Sequence, residues 1–259
     1  FDIDGIRLDV AYCLDFDFLR RLRQLVDSLK PDFFLVGEML HGDYNQRMND
    51  EMLNSATNYE CYKGLYSSFN SMNMFEINHS LLRQFGPEQW TLYRGKHLLS
   101  FVDNHDVTRV ASILTHKKHL PLIYALMFGM PGIPCIYYGS EWGATANKSE
   151  GDSVLRPSFD EPVYNGLTEF ISKLSKAKIN SPQLNYGDFT SVLLTNKQCI
   201  FRRSFEGENV YVCINADEYD FNANFELKNI QVTDLISGDI IDIGNEFNMP
   251  AYSAYFLNN

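Results

Sequence analysis

The stretch FDIDGIRLDVAYCL, residues 1–14, decides how the rest of the chain is interpreted, because it predicts that the chain begins inside a β-strand. Residues 3–10 have the β-branched and aliphatic character of a strand. A helical pattern runs from Asp15 to Leu29 and stops at Pro31. DFFLVGEML, residues 32–40, is a second apolar run, short enough for a buried strand. Strand, helix and strand in this order are typical of a parallel sheet.

The same alternation continues to about residue 181. The patterns predict, in order, a strand near Thr57–Tyr62, a helix near Phe75–Gln84, a strand at HLLSFVDNHD (97–106), a helix over Leu120–Phe128, a strand at IPCIYYG (133–139) and a helix around 167–174. This gives five parallel strands, whereas a closed (β/α)8 barrel has eight. We therefore predict an α/β fold, a partial (β/α)8 TIM barrel comprising about strands 4 to 8, with three further units expected before Phe1.

The pattern changes near Pro182. Five short apolar runs are separated by polar turns, and no helical pattern lies between them: FTSVLLT (189–195), QCIFRRS (198–204), NVYVCIN (209–215), NFELKNI (224–230) and AYSAYFL (251–257). We predict two domains, the carboxyl-terminal part of a catalytic barrel over 1–181 and an all-β sandwich over 182–259.

Composition excludes several classes of partner. The net charge is −11 and Lys and Arg form no run, which argues against nucleic acid. No apolar segment is long enough to cross a membrane, and we predict a cytoplasmic location. The five cysteines contain no C-x-x-C pair, so neither a disulfide framework nor a zinc site is indicated.

Carboxylates follow three of the predicted strands. In parallel β/α folds, functional residues gather where strands end at their carboxyl side. Asp9 ends the first strand, Glu38 the second, and residues 103–106 (DNHD) follow a later one. Two carboxylates in one pocket are what cleavage of a glycosidic bond requires, one as nucleophile or base and one as proton donor.

Each of these residues has a structural alternative. Asp9 is placed to cap the following helix, although Asp15 is placed better. Glu38 can serve as a salt-bridge partner, and Arg7 as one half of a structural ion pair. The DNHD segment can ligate a metal through His105, but no second histidine-rich segment completes such a site.

Three of these segments, GIRLDVA, VGEML and FVDNHD, resemble conserved regions of glycoside hydrolase family 13, the α-amylase family, in the family's order. GIPCIYYGSEWG (132–143) resembles its eighth barrel strand, and the β-rich tail resembles its carboxyl-terminal sandwich. The resemblance implies that Asp9 is the nucleophile and Glu38 the general acid and base. It further implies that Asp106 binds and distorts the sugar, that Arg7 keeps the nucleophile ionised and oriented, and that His105 contacts the sugar.

Outer substrate contacts and cofactors are less constrained by the resemblance. His41, Arg109 and Tyr138 are predicted to bind substrate. Further candidates after strands are Tyr44, Tyr59, Tyr62, Tyr137, Trp142 and Arg156. Val10 to Cys13 replace the lysine and histidine pair that many calcium-dependent relatives carry after the nucleophile. No metal site is therefore predicted, and calcium, although bound by some relatives, is not indicated; no cofactor is predicted.

The resemblance implies a retaining glycosidase acting on starch-derived α-glucans or malto-oligosaccharides. Transglycosylation or isomerisation by the same residues is the alternative, and a catalytically silent sugar-binding member is the third reading. Five barrel strands would leave apolar edges open. We therefore predict that this chain is part of a longer enzyme, inactive alone, that associates through the open edge, either as a homodimer or with the missing half.

Overall fold

The structure, a computed structural model, describes residues 2–259. Five parallel strands lie side by side in chain order: β1 (Gly5–Leu8), β2 (Phe34–Gly37), β3 (Ser55–Ala56), β4 (Leu99–Phe101) and β5 (Ile133–Cys135). An isolated parallel bridge between Thr57 and Leu99 joins β3 to β4. Four of the five parallel strands lie near their predicted positions, and within residues 2–259 the strands do not close into a barrel.

Helices connect and cover these strands. They are α1 (Phe16–Leu29), α2 (Tyr59–Asn70), α3 (Phe75–Phe85), α4 (Val110–Ile113), α5 (His119–Gly129), α6 (Asp152–Leu155), α7 (Gly166–Asn180) and α8 (Pro182–Tyr186). Asp15 caps α1, because its Oδ1 accepts the N–H groups of Asp17 at 2.9 Å and Phe18 at 3.0 Å. The capping role weighed for Asp9 therefore belongs to Asp15, which leaves Asp9 free for another role.

The strand predicted near Thr57–Tyr62 is wrong over most of its length. Asn58 caps a helix there, since its Oδ1 accepts the N–H of Cys61 at 3.1 Å, and α2 begins at Tyr59. Buried Tyr62 and Leu65 lie three residues apart on the inner face of this helix. The aromatic residues that suggested a strand instead form the buried side of a helix.

Antiparallel strands make up the carboxyl-terminal part. Six form one sheet in the order β11-β10-β13-β8-β7-β6 and two form a second, β12-β9. Their ranges are β6 (Asp188–Leu194), β7 (Gln198–Phe205), β8 (Glu208–Asn215), β9 (Phe221–Ala223), β10 (Ile230–Asp234), β11 (Ile240–Ile243), β12 (Phe247–Met249) and β13 (Ser253–Asn258). The predicted all-β architecture is confirmed. The domain limits of 1–181 and 182–259 stay a prediction.

One predicted strand in this part, NFELKNI, is wrong over residues 224–229, which lie between β9 and β10. Phe225 and Leu227 are buried in the second core while Glu226 and Lys228 are exposed, so the side chains alternate as they do in a strand. The backbone nevertheless joins no ladder. Alternating burial indicated the faces of this segment correctly but not its hydrogen bonding.

The two parts share a core that crosses their junction. The main apolar cluster contains α5 residues together with Val212 of β8 and Phe256 of β13. A Cβ at Gly129, at the end of α5, would lie 2.6 Å from a Val212 methyl carbon, so only glycine permits this approach. Buried Arg203 of β7 donates Nη1 to the Gly129 carbonyl at 2.9 Å, and buried Lys178 donates to the Met130 carbonyl at 3.1 Å.

Lys178 makes the stability of this junction depend on pH. Burial lowers the pKa of Lys178 well below its usual value of 10.5. Between the lowered pKa and 10.5 the unfolded chain binds more protons than the folded one, so stability rises with pH across that window. We expect the free energy of unfolding of the wild type, minus that of Lys178→Met, to increase between pH 7 and pH 10 in urea titrations.

Lys176→Met provides the matched control for this measurement, because Lys176 lies in the same helix and is exposed. The difference in free energy of unfolding between the wild type and Lys176→Met should stay constant between pH 7 and pH 10. An equal increase with pH in both comparisons would show that the burial of Lys178 does not cause the pH dependence.

Candidate active site

The ends of β1 and β2 bring Asp9 and Glu38 to a single arginine. Arg7 lies in β1 directly beside Val36 of β2. Its Nη1 is 3.0 Å from Asp9 Oδ1 and its Nη2 is 3.0 Å from Glu38 Oε1. The structure therefore brings three of the predicted residues together at one edge of the sheet.

The two carboxylates differ in their surroundings. The Asp9 side chain is 70% exposed, whereas that of Glu38 is 7% exposed. Glu38 is also held on its second oxygen, because Oε2 accepts the N–H of Val10 at 2.9 Å. One carboxylate is open to an approaching molecule and the other is enclosed and fixed, an asymmetry that acid-base pairs use to divide their roles.

Asp106 lies in a second cluster at the end of β4. Its Oδ2 is 3.0 Å from His105 Nε2 and its Oδ1 is 2.9 Å from Arg156 Nη2. Arg156 also donates Nε to the His105 carbonyl at 3.3 Å. Arg156 comes from the loop after β5, so the chain supplies this cation 50 residues after the carboxylate. Both oxygens of Asp106 are thereby oriented.

Tyr59 is linked to the second cluster by hydrogen bonds and lies within electrostatic reach of the first. Its hydroxyl accepts a hydrogen bond from Asn104 Nδ2 at 3.0 Å, and Asn104 Oδ1 accepts the N–H of Asp106 at 2.8 Å. Burial raises the pKa of Tyr59, and the negative charges of Glu38 and Asp106 raise it further. The phenol thus stays protonated between the two carboxylates.

The Arg109 side chain is enclosed within the protein and contacts loop groups rather than the pocket. The residue is fully buried, and its guanidinium carbon lies 4.1 Å above the Tyr137 ring. Its Nη1 donates to the Tyr138 carbonyl at 2.6 Å and its Nη2 to the Leu155 carbonyl at 3.0 Å. In this conformation Arg109 ties together the loops around β5, and it offers no surface to a ligand.

Asp103, the first carboxylate of DNHD, is also buried. Its oxygens accept the Ser140 hydroxyl at 2.8 Å and the N–H of Val110 at 2.8 Å. Burial raises the pKa of Asp103. Together with Arg109 Nη1, which donates to Ser140 Oγ at 3.0 Å, it forms a closed internal network. Asp103 therefore supports the loop that carries Asp106 rather than the pocket itself.

The two remaining predicted contacts lie at the rim. Tyr138 is 43% exposed, and its hydroxyl donates to the Pro157 carbonyl at 2.8 Å. His41 is exposed, and its ring centroid lies 5.3 Å from that of Tyr12. Both rings are accessible, and their contacts with substrate stay predictions.

One contact could not be found by sequence reasoning. The N–H of Val10 bonds Glu38, but every residue other than proline carries an N–H, so no side-chain pattern signals it. Among residues 2–259, no group of three or more His, Cys, Asp and Glu side chains is arranged to hold a metal ion.

The fold and the site define a parallel β/α protein of the TIM-barrel type with acidic residues at the carboxyl ends of its strands. The chain belongs to the α-amylase family: the family described as "Alpha amylase, catalytic domain" matches residues 2–183. This confirms the family predicted from GIRLDVA, VGEML and FVDNHD.

Relatives agree in sequence and in fold. Cyclomaltodextrinase of Thermoanaerobacter pseudethanolicus is 27% identical over 226 residues, 83% of this chain and 37% of that protein. Intracellular maltogenic amylase of Bacillus subtilis is 32% identical over 163 residues, 60% of this chain and 26% of that protein. The structure of a cyclomaltodextrin glucanotransferase with a three-domain ABC distribution superposes with a TM-score of 0.87 at 24% identity, covering all of this chain and 56% of that one. The chain thus spans less than two fifths of the cyclomaltodextrinase and of the maltogenic amylase.

Proposed function

We propose that the full-length protein hydrolyses α-glucosidic bonds in starch-derived malto-oligosaccharides with retention of configuration. The observation that carries the proposal is the Arg7 guanidinium, which holds Asp9 and Glu38 at 3.0 Å each. Two carboxylates on one guanidinium are compatible with the separation of about 5–5.5 Å that retaining glycosidases use. Membership of the α-amylase family supports the choice of α-glucosidic bonds.

The proposed reaction has two displacements. Asp9 Oδ attacks the anomeric carbon while the glycosidic oxygen leaves with the proton of Glu38, which yields a glycosyl ester on Asp9. Water then gives a proton to Glu38, and its oxygen displaces Asp9 from the same carbon. Each displacement inverts the configuration, so the two together retain it. The exposure of Asp9 and the enclosure of Glu38 support this division of roles.

Asp106 has the third role in the proposal, as acceptor of hydrogen bonds from hydroxyls of the bound sugar. Its orientation by His105 and Arg156 supports this, because a carboxylate fixed on both oxygens is prepared for a bound sugar before it arrives. The rim rings of Tyr138 and His41 would contact sugar units on either side of the cleaved bond.

A cavity of about 910 Å³ suggests where the rest of the substrate lies. It is lined by the loop that follows Glu38, including Leu40 and His41, and by side chains of α2 and α3, including Tyr59, Lys63 and His79. Since Glu38 protonates the leaving oxygen, the loop beginning at Glu38 lies on the leaving-group side. We assign this cavity to the leaving part of the glucan chain.

The same cavity favours transfer as a second candidate activity. A sugar that occupies it after the first displacement can attack the glycosyl ester in place of water, with Glu38 accepting its proton. Products longer than the substrate, formed from maltotriose and resolved by chromatography, would indicate transfer. Glucose and maltose alone would indicate hydrolysis.

The test of the proposed function is the anomeric form of the first product. Proton NMR during cleavage of maltotriose should show the α-anomer before mutarotation. Initial β-anomer would contradict the retaining mechanism, and absence of cleavage by the full-length protein would contradict the activity.

Arg156 offers a separate test of the Asp106 cluster. Arg156→Met removes the bond to Asp106 Oδ1, so we expect kcat/KM for maltotriose to fall about 10–100-fold because the carboxylate loses its fixed orientation. Both side chains are partly exposed, so stability should change by less than about 1 kcal/mol. Steady-state kinetics and urea unfolding measure the two effects. An unchanged kcat/KM would show that Arg156 does not orient Asp106 for catalysis.

The cellular location, cofactor requirement and association of the protein are also proposals. No helix of residues 2–259 has the length and apolar character needed to span a bilayer. The relative named intracellular maltogenic amylase supports the proposal of a cytoplasmic location. We further propose activity without a cofactor and association through the edges of the five-stranded sheet, which chelator treatment and sedimentation would test.

A further inference from the structure

Val10, directly after Asp9, has an unusual backbone conformation. Its φ of 47° and ψ of 40° lie in the left-handed region, which β-branched residues rarely occupy. The Val10 side chain is 37% exposed, so apolar packing gives little compensation. A strained conformation persists only where the surrounding structure enforces it.

The contacts of the Val10 peptide groups explain what enforces it. The N–H donates to Glu38 Oε2 at 2.9 Å, and the carbonyl accepts the N–H of Cys13 at 2.9 Å, which begins a short 3-10 turn. Ala11, in that turn, packs so closely on Gly37 that a Cβ on the glycine would lie 2.8 Å from the Ala11 Cβ. The turn after Asp9 is therefore fixed against the strand end that carries Glu38.

We propose that the Val10 N–H is a positioning group that holds the Glu38 carboxyl in the plane required for proton transfer. The inference rests on the proposed function, which gives Glu38 its acid-base role. Arg7 holds one carboxyl oxygen and Val10 the other, so the plane of the carboxyl group is fixed. Each oxygen keeps a second lone pair, on which the transferred proton can be carried without loss of this orientation.

The contact itself is tested by NMR on the full-length protein labelled with ¹⁵N-valine and carrying Asp9→Asn, so that the carboxylate next to Val10 no longer titrates. The Val10 amide proton should move with pH as the charge of Glu38 changes, and adding Glu38→Gln should abolish that movement. A movement that persists in the double variant, or its absence in Asp9→Asn alone, overturns the inference.

The role is tested in the full-length protein by replacing Val10 with its α-hydroxy acid, which exchanges the N–H for an ester oxygen and keeps the side chain. We expect kcat for maltotriose to fall at least about tenfold with KM within about twofold. First-turnover release of fluoride from α-maltosyl fluoride should stay within about twofold, because fluoride leaves with little need of a proton and this step precedes the attack of water. Equal losses on both substrates, or no loss, overturn the inference.

One control separates general damage from the missing N–H. The same ester exchange at Ala11, whose N–H does not bond Glu38, should retain both rates. If the wild type cleaves neither substrate, the proposed function is wrong and the inference falls with it, whereas a failed NMR test overturns the inference alone.

Discussion

Asp9→Asn should lower kcat/KM for maltotriose by about three to five orders of magnitude in the full-length protein. The amide cannot form the glycosyl ester, and it carries no charge to pair with Arg7 Nη1. Because the Asp9 side chain is 70% exposed, folding should be nearly unaffected. Steady-state kinetics give the first quantity and thermal unfolding the second.

Asp50→Asn is the matched control, since Asp50 is an exposed aspartate outside the site. It should leave kcat/KM within about twofold. Glu38→Gln should act like Asp9→Asn on maltotriose, because the proton donor is lost. Near wild-type activity in both Asp9→Asn and Glu38→Gln would overturn the assignment of the two carboxylates.

Arg109→Met should have the largest effect on stability, a loss of about 3–5 kcal/mol in the free energy of unfolding. The substitution leaves the carbonyls of Tyr138 and Leu155 without their buried donor and removes one partner of Ser140. A loss of this size is a large fraction of the stability of an ordinary domain. Urea titration followed by fluorescence measures it.

The comparison with Arg156→Met makes this prediction specific. Both variants remove a guanidinium near the ends of β4 and β5, but Arg109 is fully buried and Arg156 is 49% exposed. Arg109→Met should lower stability more than activity at temperatures where it is folded, and Arg156→Met the reverse. If Arg109→Met instead raised KM at unchanged stability, the substrate-binding role predicted from the sequence would be restored.

Local patterns were sufficient for much of the architecture. The alternation of apolar runs with helical spacing predicted four of the five parallel strands at nearly their observed positions. It failed at Tyr59–Tyr62, where one asparagine cap outweighs the strand propensity of the aromatic residues. It failed again at residues 224–229, whose alternating burial is not accompanied by strand pairing. At Asn58 the deciding contact is a side-chain cap, whereas at residues 224–229 it is the lack of backbone pairing, which side-chain polarity does not encode.

The identities of Asp9, Glu38 and Asp106 as candidates came from the sequence, because parallel strands place their carboxyl ends at one edge whatever the details of packing. Their division into an exposed carboxylate, an enclosed carboxylate and one held by His105 and Arg156 was decided only by the tertiary structure. Arg156 reaches Asp106 across 50 residues and the Val10 N–H reaches Glu38 across 28. Burial and such distant contacts arise only when the chain has folded, so residue type alone could not distinguish Arg109, which supports the loops, from Arg156, which orients a carboxylate in the pocket.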